Sequence, residues 1–586
     1  MKKALALVLA LTMTLGMAAC GTTASSAPAS GSAAAGDSST ASSASTTASS
    51  ASTTGTATGS MTNGLYPGTP DPESVTINIG SEPPDMNSVT TTDANAISIM
   101  RDVLEGLTSL DQENKPVPGV AESWDISEDG LVYTFHLRQD AVWSNGEPVT
   151  ANDFVFAWTQ LFTASTGANY ATTWQTYIKG AEEALAGDAA ALGVKAVDDY
   201  TFEVTLNNPC AYFLNLMAFP SFYPVNEAFW TEVGGVDGYG RDADKMLYNG
   251  PYVMSEWQHE SQVTITKNDQ YWDKDNKAFI PTVYMKMIND SGAALNAFQA
   301  GELDMVGLSG EQVQLLTAEG VTPGQYEDGT PAYLEYNTNG GTPSSEAVGK
   351  GLANAKVRKA LTYAIDAQSY IDNVAKSSYL PADGMVPGSI GNGEYSAARG
   401  SLIDRAMPVE DIKAMFDEGL KEAGITAADF TPVITTDEGD SAYKMVAFIQ
   451  NQWKEKLGIE ATVQQLTFKS RLDAQTKQNY DVCVALWGPD YDDALTYLDM
   501  FLSGVGNNHT GWSNEEYDNL IMSSYSETDA AARQDILIQA ETILMEEMPI
   551  GPIYFRVRDY VMADKLTGVT RTAFQNVVMH YAKLVK

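Results

Sequence analysis

Apolar and polar residues alternate in three early segments of the chain. Segments 74–80, 131–138 and 200–207 each place apolar side chains at every second position. Successive side chains of a strand point to opposite faces of a sheet, so this period predicts three strands, each with one buried face. The alternating apolar positions are Val75, Ile77, Ile79, Leu131, Tyr133, Phe135, Leu137, Tyr200, Phe202, Val204 and Leu206.

A helical period follows the second of these segments. Thr150 and Asp153 have the spacing of a capping box, in which each residue satisfies a free backbone N–H near the helix start. Phe154, Trp158 and Leu161 then fall on one face. The pattern predicts an amphipathic helix that begins just after Thr150.

The later half has the pattern of a βαβ unit. Segment 431–436 predicts a strand, 442–457 an amphipathic helix that ends at Gly458, and 459–466 the next strand. Such units build parallel sheets, so the predicted fold class is α/β. Segment 355–366 predicts a further amphipathic helix.

The N-terminus has the pattern of an export signal. Lys2 and Lys3 precede an apolar stretch, Ala4–Met17, and small residues lead to Cys20. The stretch is too short to span a membrane. The ending Met-Ala-Ala-Cys resembles a bacterial lipobox, which implies that residues 1–20 are a lipoprotein signal and that Cys20 carries the lipid. The alternative is plain secretion with cleavage at another position.

Residues 21–65 are predicted to be a flexible linker. In residues 21–60, 38 of 40 are Gly, Ser, Thr or Ala, which cannot bury a core. A coil of about 40 residues has a root-mean-square reach of roughly 35 Å. The folded part is therefore expected to begin near Tyr66.

Composition narrows the class of protein. The chain has 586 residues, 44% hydrophobic and 10% aromatic, and these values are typical of a globular protein with several domains or lobes. Its net charge of −40 disfavours nucleic acid as a partner, because phosphate binding depends on Lys and Arg. The same charge disfavours adsorption of the folded surface to anionic lipid.

Catalytic and metal-binding motifs are missing from the sequence. It contains no Walker A, G-x-S-x-G or H-E-x-x-H pattern, and its four histidines are scattered. No catalytic metal site and no haem site is therefore expected, while an ion held by carboxylates alone remains an alternative. Besides Cys20, the chain has Cys210 and Cys483, which we expect to be buried free thiols; a disulfide between them is the alternative.

Three acids, Asp490, Asp492 and Asp493, follow an apolar run that ends in Trp487. They could hold a metal, act in catalysis, anchor a cationic ligand or be ordinary loop charge. A calcium loop of the EF-hand type needs Asp or Asn and then Gly where Ala494 and Leu495 stand. A catalytic pair of carboxylates is a weak inference, because 75 acids always offer some pair.

Several longer motifs resemble one family. The stretch 101–158 opens with RDVLEGL and ends with PVTANDFVFAW. Other matching motifs are GSEPPDMN (80–87), AFPSFYPVNEAFW (218–230), NGPYVMSEW (249–257), NDQYWDKDN (268–276), AFQAGELDM (297–305) and AKVRKALTYAID (355–366). From about Val75 to Lys586 the chain resembles the extracytoplasmic solute-binding proteins of peptide-importing ABC transporters, specifically the oligopeptide-binding type.

The resemblance implies a large, two-lobed periplasmic-binding-protein-like fold with a hinge between the lobes. It places lobe I at 66–103, 248–335 and 557–586, with an extra subdomain at 104–247. Lobe II is placed at 336–556. The chain is expected to cross between lobes near 335–341 and 555–559, and closure is expected to be driven by a ligand that contacts both lobes.

The resemblance also implies a ligand site around Trp487. In the family, the stretch matching Ala485, Leu486 and Trp487 hydrogen-bonds the peptide backbone, and the acid of a W-x-x-D-Y pattern pairs with the peptide α-amino group. That acid maps onto Asp490, with Tyr491 beside it. Asp492 and Asp493 are expected to be loop charge or helix-start acids.

Four further residues match ligand contacts of the family. Phe468 matches an aromatic pocket wall, with a core position as the alternative. Tyr170 matches a ligand contact of the extra subdomain, although its spacing to Trp174 and Tyr177 is also that of a helix core. Thr90 and Thr92 lie in a segment that touches peptide backbone in relatives, but threonines replace the acid expected there. A basic residue for the peptide carboxylate is missing near Trp487.

The resemblance implies a non-enzymatic receptor on the outer face of the cell membrane of a Gram-positive bacterium. Its expected partners are a peptide ligand, the permease and ATPase subunits of an ABC importer, and the membrane through the lipid anchor. It is expected to be a monomer without nucleic acid or cofactor. The alternatives are the same fold with another solute (a dipeptide, a sugar-type ligand or a nickel chelate), a secreted hydrolase, or a surface adhesin or holdase.

Overall fold

The computed structural model describes residues 60–338 and 341–585. The predicted signal, Cys20 and the linker up to residue 59 lie outside these residues. The strands are β1 Ser74–Asn78, β2 Thr108–Leu110, β3 Pro116–Pro118, β4 Ala121–Ile126, β5 Val132–Leu137, β6 Val194–Asp198, β7 Thr201–Thr205, β8 Tyr252–Gln258, β9 Gln262–Lys267, β10 Thr282–Lys286, β11 Met305–Leu308, β12 Gly324–Tyr336, β13 Leu380–Pro381, β14 Val433–Asp437, β15 Thr462–Leu466, β16 Val482–Leu486, β17 Ile550–Met562, β18 Leu566–Thr567 and β19 Lys583–Leu584.

Helices cover the sheets and connect the strands. They are α1 Ala94–Val103, α2 Ala151–Leu161, α3 Ala171–Trp174, α4 Ala181–Leu185, α5 Phe213–Leu216, α6 Glu227–Glu232, α7 Ser291–Gln299, α8 Gly310–Ala318, α9 Glu346–Ala353, α10 Ala355–Tyr363, α11 Ala367–Tyr370, α12 Glu394–Arg399, α13 Val409–Ala423, α14 Asp440–Leu457, α15 Phe468–Thr476, α16 Leu495–Leu498, α17 Glu515–Ser526 and α18 Ala530–Glu547. In the part of the chain that the structure describes, no helix is long and apolar enough to cross a membrane.

One mixed sheet of eleven strands runs through the molecule, in the order β15-β14-β16-β12-β17-β11-β1-β10-β9-β8, with β13 also paired to β17. Each side of this sheet has a parallel core, where β14 pairs with β15 and β16 and β1 pairs with β10 and β11. Parallel strands need helical crossovers, which α7 and α14 supply. The predicted α/β class is confirmed.

The three alternating segments form β1, β5 and β7, so all three predicted strands are confirmed. β5 and β7 belong to a separate four-stranded antiparallel sheet, β4-β5-β7-β6. Their buried side chains Phe135 and Phe202 pack under α2, where Trp158 lies 5.2 Å from Phe202 between ring centroids. This sheet lies within the segment predicted to be an extra subdomain.

The predicted helices form with small differences at their ends. α2 starts after Thr150 with its capping box in place, and α14 ends at Gly458 between the parallel strands β14 and β15. α10 stops at Tyr363 rather than 366. It stops early because Asp366 caps the next helix, accepting a hydrogen bond from the Ser369 N–H at 2.9 Å.

The folded part begins before Tyr66. Met61 and Thr62 are buried, and the Thr62 hydroxyl donates to Asp564 at 2.5 Å. Ser60 donates to the same carboxylate. The final residues of the low-complexity segment are therefore packed against the C-terminal part of the chain, through contacts that composition alone does not indicate.

Two long antiparallel strands, β12 and β17, connect the two sides of the large sheet, each with 13 residues. Their pairing shifts register between Glu327 and Pro331. Within this irregularity Gly329 has φ +70°, and an added Cβ would lie 2.6 Å from the Pro489 ring. Both its backbone conformation and its close contact with Pro489 therefore require glycine.

Cys210 and Cys483 are buried and unpaired in the structure, as expected for free thiols. Burial raises the pKa of Cys210 to about 12 and also raises that of Cys483. Both thiols are therefore protonated at neutral pH and are held away from solvent.

Candidate functional site

The candidate site is built at the end of β16. This strand pairs antiparallel with β12, so that Ala485 faces Tyr333 and Leu486 faces Ala332. Ala485 is buried, whereas Leu486 is 42% exposed at the last position of the strand. The Trp487 indole N–H donates to the Thr496 carbonyl at 2.9 Å, which fixes the direction in which the chain leaves the sheet.

Asp490 lies in the loop that follows, and Thr496 holds its backbone. The Asp490 N–H donates to Thr496 Oγ1 at 3.1 Å, and its carboxylate accepts a hydrogen bond from the Tyr170 hydroxyl at 3.2 Å. Asp490 is half-buried by solvent exposure, and protein atoms surround its carboxylate. This desolvation raises its pKa to about 6. None of the ion pairs formed by the described residues includes Asp490. The carboxylate is therefore mostly ionised at neutral pH without a cation of the protein beside it.

The two neighbouring acids have different surroundings. Asp493 accepts two hydrogen bonds from the Arg533 guanidinium, at 2.6 and 2.9 Å, and both side chains are nearly buried. Asp492 accepts from the Gly391 N–H at 2.7 Å, and burial raises its pKa to about 6. The expectation of ordinary loop charge is wrong for Asp493, because the distant helix α18 supplies its counterion. The helix-start alternative agrees with the structure, since Asp493 lies just before Ala494, the N-cap of α16, and accepts from the Leu495 N–H at 3.0 Å.

Tyr491 points into a cluster of tyrosines. Its ring stacks on Tyr212 at 4.4 Å between centroids, and its hydroxyl accepts from Tyr177 and donates to Asp499, each at 3.2 Å. Burial raises the pKa of Asp499 to about 7. These contacts join the loop after β16 to residues 170–212. Asp499, Tyr212 and Thr496 were not identified from the sequence.

Tyr170 packs in an aromatic core and also reaches the loop after β16, while its role as a ligand contact stays a prediction. Its ring stacks on Trp174 at 5.4 Å and meets Phe219 edge-on at 5.1 Å, so it is part of an aromatic core. Its hydroxyl nevertheless reaches Asp490. Near it lies Arg101, whose Nε has no hydrogen-bond partner among the described residues and whose pKa is lowered by burial.

The remaining predicted ligand residues lie at the surface or in turns. Phe468 opens α15 and is 62% exposed, with the Arg471 guanidinium 5.1 Å from its ring centroid, so it is not a core residue. Thr90 is half-buried in a turn, where its N–H donates to the Asn87 carbonyl, and Thr92 is exposed. Across residues 60–338 and 341–585, no hydrogen bond joins these three residues to Asp490. Their role toward a ligand stays a prediction.

Metal binding finds no support in this geometry. Among the residues that the structure describes, no three His, Cys, Asp or Glu side chains are grouped so that they could hold a metal ion. The loop after β16 instead offers one unpaired carboxylate, an exposed strand end and aromatic walls. That arrangement suits a cationic group attached to an extended chain.

Comparison with known proteins agrees with this arrangement. Residues 115–509 match the family described as "Bacterial extracellular solute-binding proteins, family 5 Middle". The chain is 35% identical over 509 residues to "Oligopeptide-binding protein OppA" of Bacillus subtilis (strain 168), covering 84% of this chain and 89% of that protein. It is 32% identical over 485 residues to "Dipeptide-binding protein DppE" of the same organism, covering 80% and 84%.

A solved structure also matches over most of the chain. It is "Listeria monocytogenes OppA bound to peptide", with 33% identity, a TM-score of 0.71, and coverage of 88% of this chain and 99% of that one. The two-lobed fold expected from the sequence is thereby confirmed. On these matches, and with its sheet and site as described, the chain belongs to the bacterial extracellular solute-binding proteins of family 5.

Proposed function

We propose that this protein is the solute-binding receptor of an ABC importer, which captures oligopeptides between two lobes and delivers them to the membrane permease. Its family consists of solute-binding receptors, and two relatives are an oligopeptide-binding protein and a peptide-bound structure. The observation in this chain that carries the proposal is Asp490, a half-buried carboxylate in the loop after β16 that has no cation partner among the described residues.

Asp490 binds the α-amino group of the peptide. An α-amino group ordinarily has a pKa of about 8 and is mostly cationic at neutral pH. Burying a charge is costly unless an opposite charge lies beside it, so the peptide N-terminus completes a site that the protein leaves unpaired. Loss of one partner of such a pair weakens binding by about 2–5 kcal/mol.

The backbone from Ala485 to Trp487 binds the backbone of the peptide. β16 ends here with Leu486 exposed, and an extended ligand adds hydrogen bonds as a further strand would. Such bonds do not depend on side chains, because every peptide offers the same N–H and C=O pattern. Tyr170, Phe468, Thr90 and Thr92 are proposed as additional walls of the site.

Capture depends on closure about the crossing strands. We assign lobe I to 66–103, 248–335 and 557–586, its extra subdomain to 104–247 and lobe II to 336–556. A register shift in β12 lies at Glu327–Pro331, a few residues before the expected crossing at 335–341, and Pro331 pairs with Phe555 at the other expected crossing. It supports a hinge in this part of β12 and β17, since a break in the ladder leaves fewer hydrogen bonds to strain on bending. A ligand that contacts both lobes stabilises the closed form by its difference in affinity for the two forms.

The protein works outside the cytoplasm, as its extracellular family requires. We propose that Cys20 carries a lipid that anchors it to the outer face of the membrane through a tether that ends before Ser60, where the packed residues begin. In this proposal the receptor is a monomer, performs no chemistry on the peptide and passes its cargo to the permease and ATPase subunits.

A dipeptide is the second candidate ligand, because one relative with 32% identity is a dipeptide-binding protein. The α-amino anchor is common to both candidates. Mass spectrometry of ligand co-purified with the protein separates them by length. Recovery of a sugar or a metal chelate would contradict both.

Calorimetry with a degenerate peptide pool tests the proposal. We expect binding by the wild type that falls at least roughly thirtyfold with Asp490→Asn and with N-acetylation of the peptides. Asp140→Asn is the matched control, because it removes one acid that is exposed. If N-acetylated peptides bind as tightly as free ones, Asp490 is not the anchor.

A further inference from the structure

A cavity of about 560 Å³ lies at the carboxyl ends of β1, β10 and β11. In open α/β sheets this edge is where ligands bind. Most of its polar lining bears amides and hydroxyls without charge, including Asn78, Ser81, Asn95, Ser98, Asn289 and Ser309. The cavity therefore offers hydrogen bonds from several directions and few fixed charges.

Three charged residues line this cavity: Arg558, Asp559 and Arg571. Arg558 already donates to Asp328 at 2.8 Å. Asp559 accepts from Gln325 at 2.9 Å and Ser378 at 2.6 Å. Both therefore have their polar partners within the protein.

Arg571 has no such partner. None of the ion pairs within residues 60–338 and 341–585 includes it, and its Nε is buried without a hydrogen bond. The hydrogen bond that its guanidinium does make goes to the Met305 sulfur at 3.3 Å, and a thioether is a weak acceptor. A guanidinium has five N–H donors, so most of those of Arg571 remain available to a ligand.

Two tyrosine rings hold this guanidinium in place. Its central carbon lies 4.4 Å from the ring centroid of Tyr560 and 4.9 Å from that of Tyr326. Contacts with ring faces fix the plane of the fork without neutralising its charge. A planar fork held beside a polar cavity matches the geometry of a carboxylate, which it can bind through two parallel hydrogen bonds.

A short series of contacts through Gly329 connects the cavity to the loop that carries Asp490. Tyr326 precedes Gly329 by three residues of β12, which span at most roughly 11 Å. At Gly329 an added Cβ would meet Pro489 at 2.6 Å and Ala573 at 3.0 Å. Gly329 thus packs between the loop that carries Asp490 and the segment that carries Arg571. An extended peptide of about six residues reaches roughly 20 Å, enough to bridge the two.

We propose that Arg571 binds a carboxylate of the ligand in this cavity, which makes it the basic anchor that is missing near Trp487. The inference rests on the proposed function and deepens it: the receptor takes zwitterionic oligopeptides, with the amine at Asp490 and a carboxylate at Arg571. The carboxylate comes from the peptide C-terminus or from an acidic side chain, since the guanidinium recognises the same group in either.

Calorimetry with three hexapeptide pools tests this anchor: one with free C-termini, one amidated, and one amidated with a single glutamate. For the wild type we expect amidation to weaken binding at least roughly thirtyfold. Arg571→Gln should weaken binding of the free pool by a similar factor and should bind the amidated pool no more weakly than the wild type does. If the glutamate pool recovers affinity for the wild type but not for Arg571→Gln, the site binds an acidic side chain.

The controls separate this proposal from the one it rests on. Arg241→Gln removes one half-exposed arginine outside the cavity and should change nothing. Arg571→Lys keeps the charge but loses the fork and should fall between wild type and Arg571→Gln. The amidation comparison needs no variant, so a folding defect in Arg571→Gln does not obscure it. If N-acetylation weakens binding and neither amidation nor Arg571→Gln does, the carboxylate anchor is wrong and the proposed function stands; if no pool binds, both are wrong.

Discussion

Asp490 and Asp493 lie three residues apart on one loop, but their carboxylates have different partners. Asp493 has a buried arginine beside it, bonded through both carboxylate oxygens. Among the residues that the structure describes, the hydroxyl of Tyr170 is the only hydrogen-bond donor to the Asp490 carboxylate. The first acid has its counterion within the protein, whereas in our proposal the second gains one from the α-amino group of the bound peptide.

The difference distinguishes structural charges from binding charges. A buried ion pair holds its segment in place, and removal of either member leaves an uncompensated charge. A buried charge without a partner costs stability. In our proposal the bound peptide supplies the missing partner. Arg571 belongs with Asp490 by this criterion, and Arg533 belongs with Asp493.

The largest expected effect is on folding stability. Asp493→Asn should lower the free energy of unfolding by about 3–5 kcal/mol, because Arg533 is then buried without its counterion. Asp490→Asn should raise it by on the order of 2 kcal/mol at pH 8, because a desolvated charge is removed. Urea unfolding followed by tryptophan fluorescence measures both.

A double variant controls the first result. Asp493→Leu combined with Arg533→Met removes both charges and should recover most of the loss, since a well-packed apolar pair replaces a buried ion pair at little cost. The contrast between the two acids breaks down if Asp490→Asn destabilises the protein as strongly as Asp493→Asn.

The next largest effect is expected in how stability and peptide affinity depend on pH. Burial raises the pKa of Asp490 to about 6 from its ordinary value of 3.8. The folded protein therefore holds this proton more tightly than the unfolded chain, so the contribution of Asp490 to stability falls as pH rises from about 4 to 6 and is level above that. A bound amine needs the ionised form, so peptide affinity should fall about tenfold per pH unit below pH 6.

Calorimetry between pH 5 and 8 measures this dependence. Asp492 and Asp499 also titrate in this window, with pKa raised to about 6 and about 7, so the difference between wild type and Asp490→Asn isolates one group. N-acetylated peptides should show no such slope. Equal slopes for free and acetylated peptides would assign the titration to another acid.

A smaller effect is expected from the hydroxyl beside Asp490. Tyr170→Phe keeps the ring packed on Trp174 and Phe219 but removes the donor at 3.2 Å. Peptide affinity should fall by about 0.5–1.5 kcal/mol, the usual worth of one hydrogen bond. Tyr525→Phe, which removes a 3.4 Å hydrogen bond to Asp499, is the matched control and should leave affinity unchanged.

The smallest effect on stability is expected from removal of an exposed aromatic ring. Tyr491 is packed by protein on its faces, whereas Phe468 is 62% exposed. Phe468→Ala should change unfolding free energy by less than about 0.5 kcal/mol, as exposed positions do. A loss of affinity confined to peptides with apolar side chains would mark Phe468 as a pocket wall, with Met522→Ala, 56% exposed, as the control.

Local pattern was enough to predict much of the framework. Alternation identified β5 and β7, and a capping box with one apolar face identified α2. It failed where a distant segment competes for the backbone. Tyr170, Trp174 and Tyr177 have helical spacing, yet α3 has only four residues. The Asn207 side chain, about 30 residues later, donates to the Gln175 and Thr176 carbonyls at 3.3 and 3.2 Å, which a longer helix would use for its own hydrogen bonds.

The site was only partly predictable for the same reason. The W-x-x-D-Y pattern singled out Asp490, but nothing local distinguishes Asp493, whose partner comes 40 residues later. The stacking of Tyr212 on Tyr491 and the position of Arg571 against two strands depend on how the sheet closes. Such pairings have no period in the sequence, and only the assembled fold reveals which charges stay unpaired.

The two buried cysteines make the closing motion accessible to fluorescence labelling. With its pKa raised to about 12, Cys210 carries almost no thiolate at neutral pH, and both thiols are shielded from solvent. A maleimide dye will therefore react first with a cysteine introduced at an exposed position. In the mature protein, in which Cys20 carries the proposed lipid, a donor and an acceptor dye on either side of the crossing strands would then report peptide capture as a change in energy transfer without removal of Cys210 or Cys483.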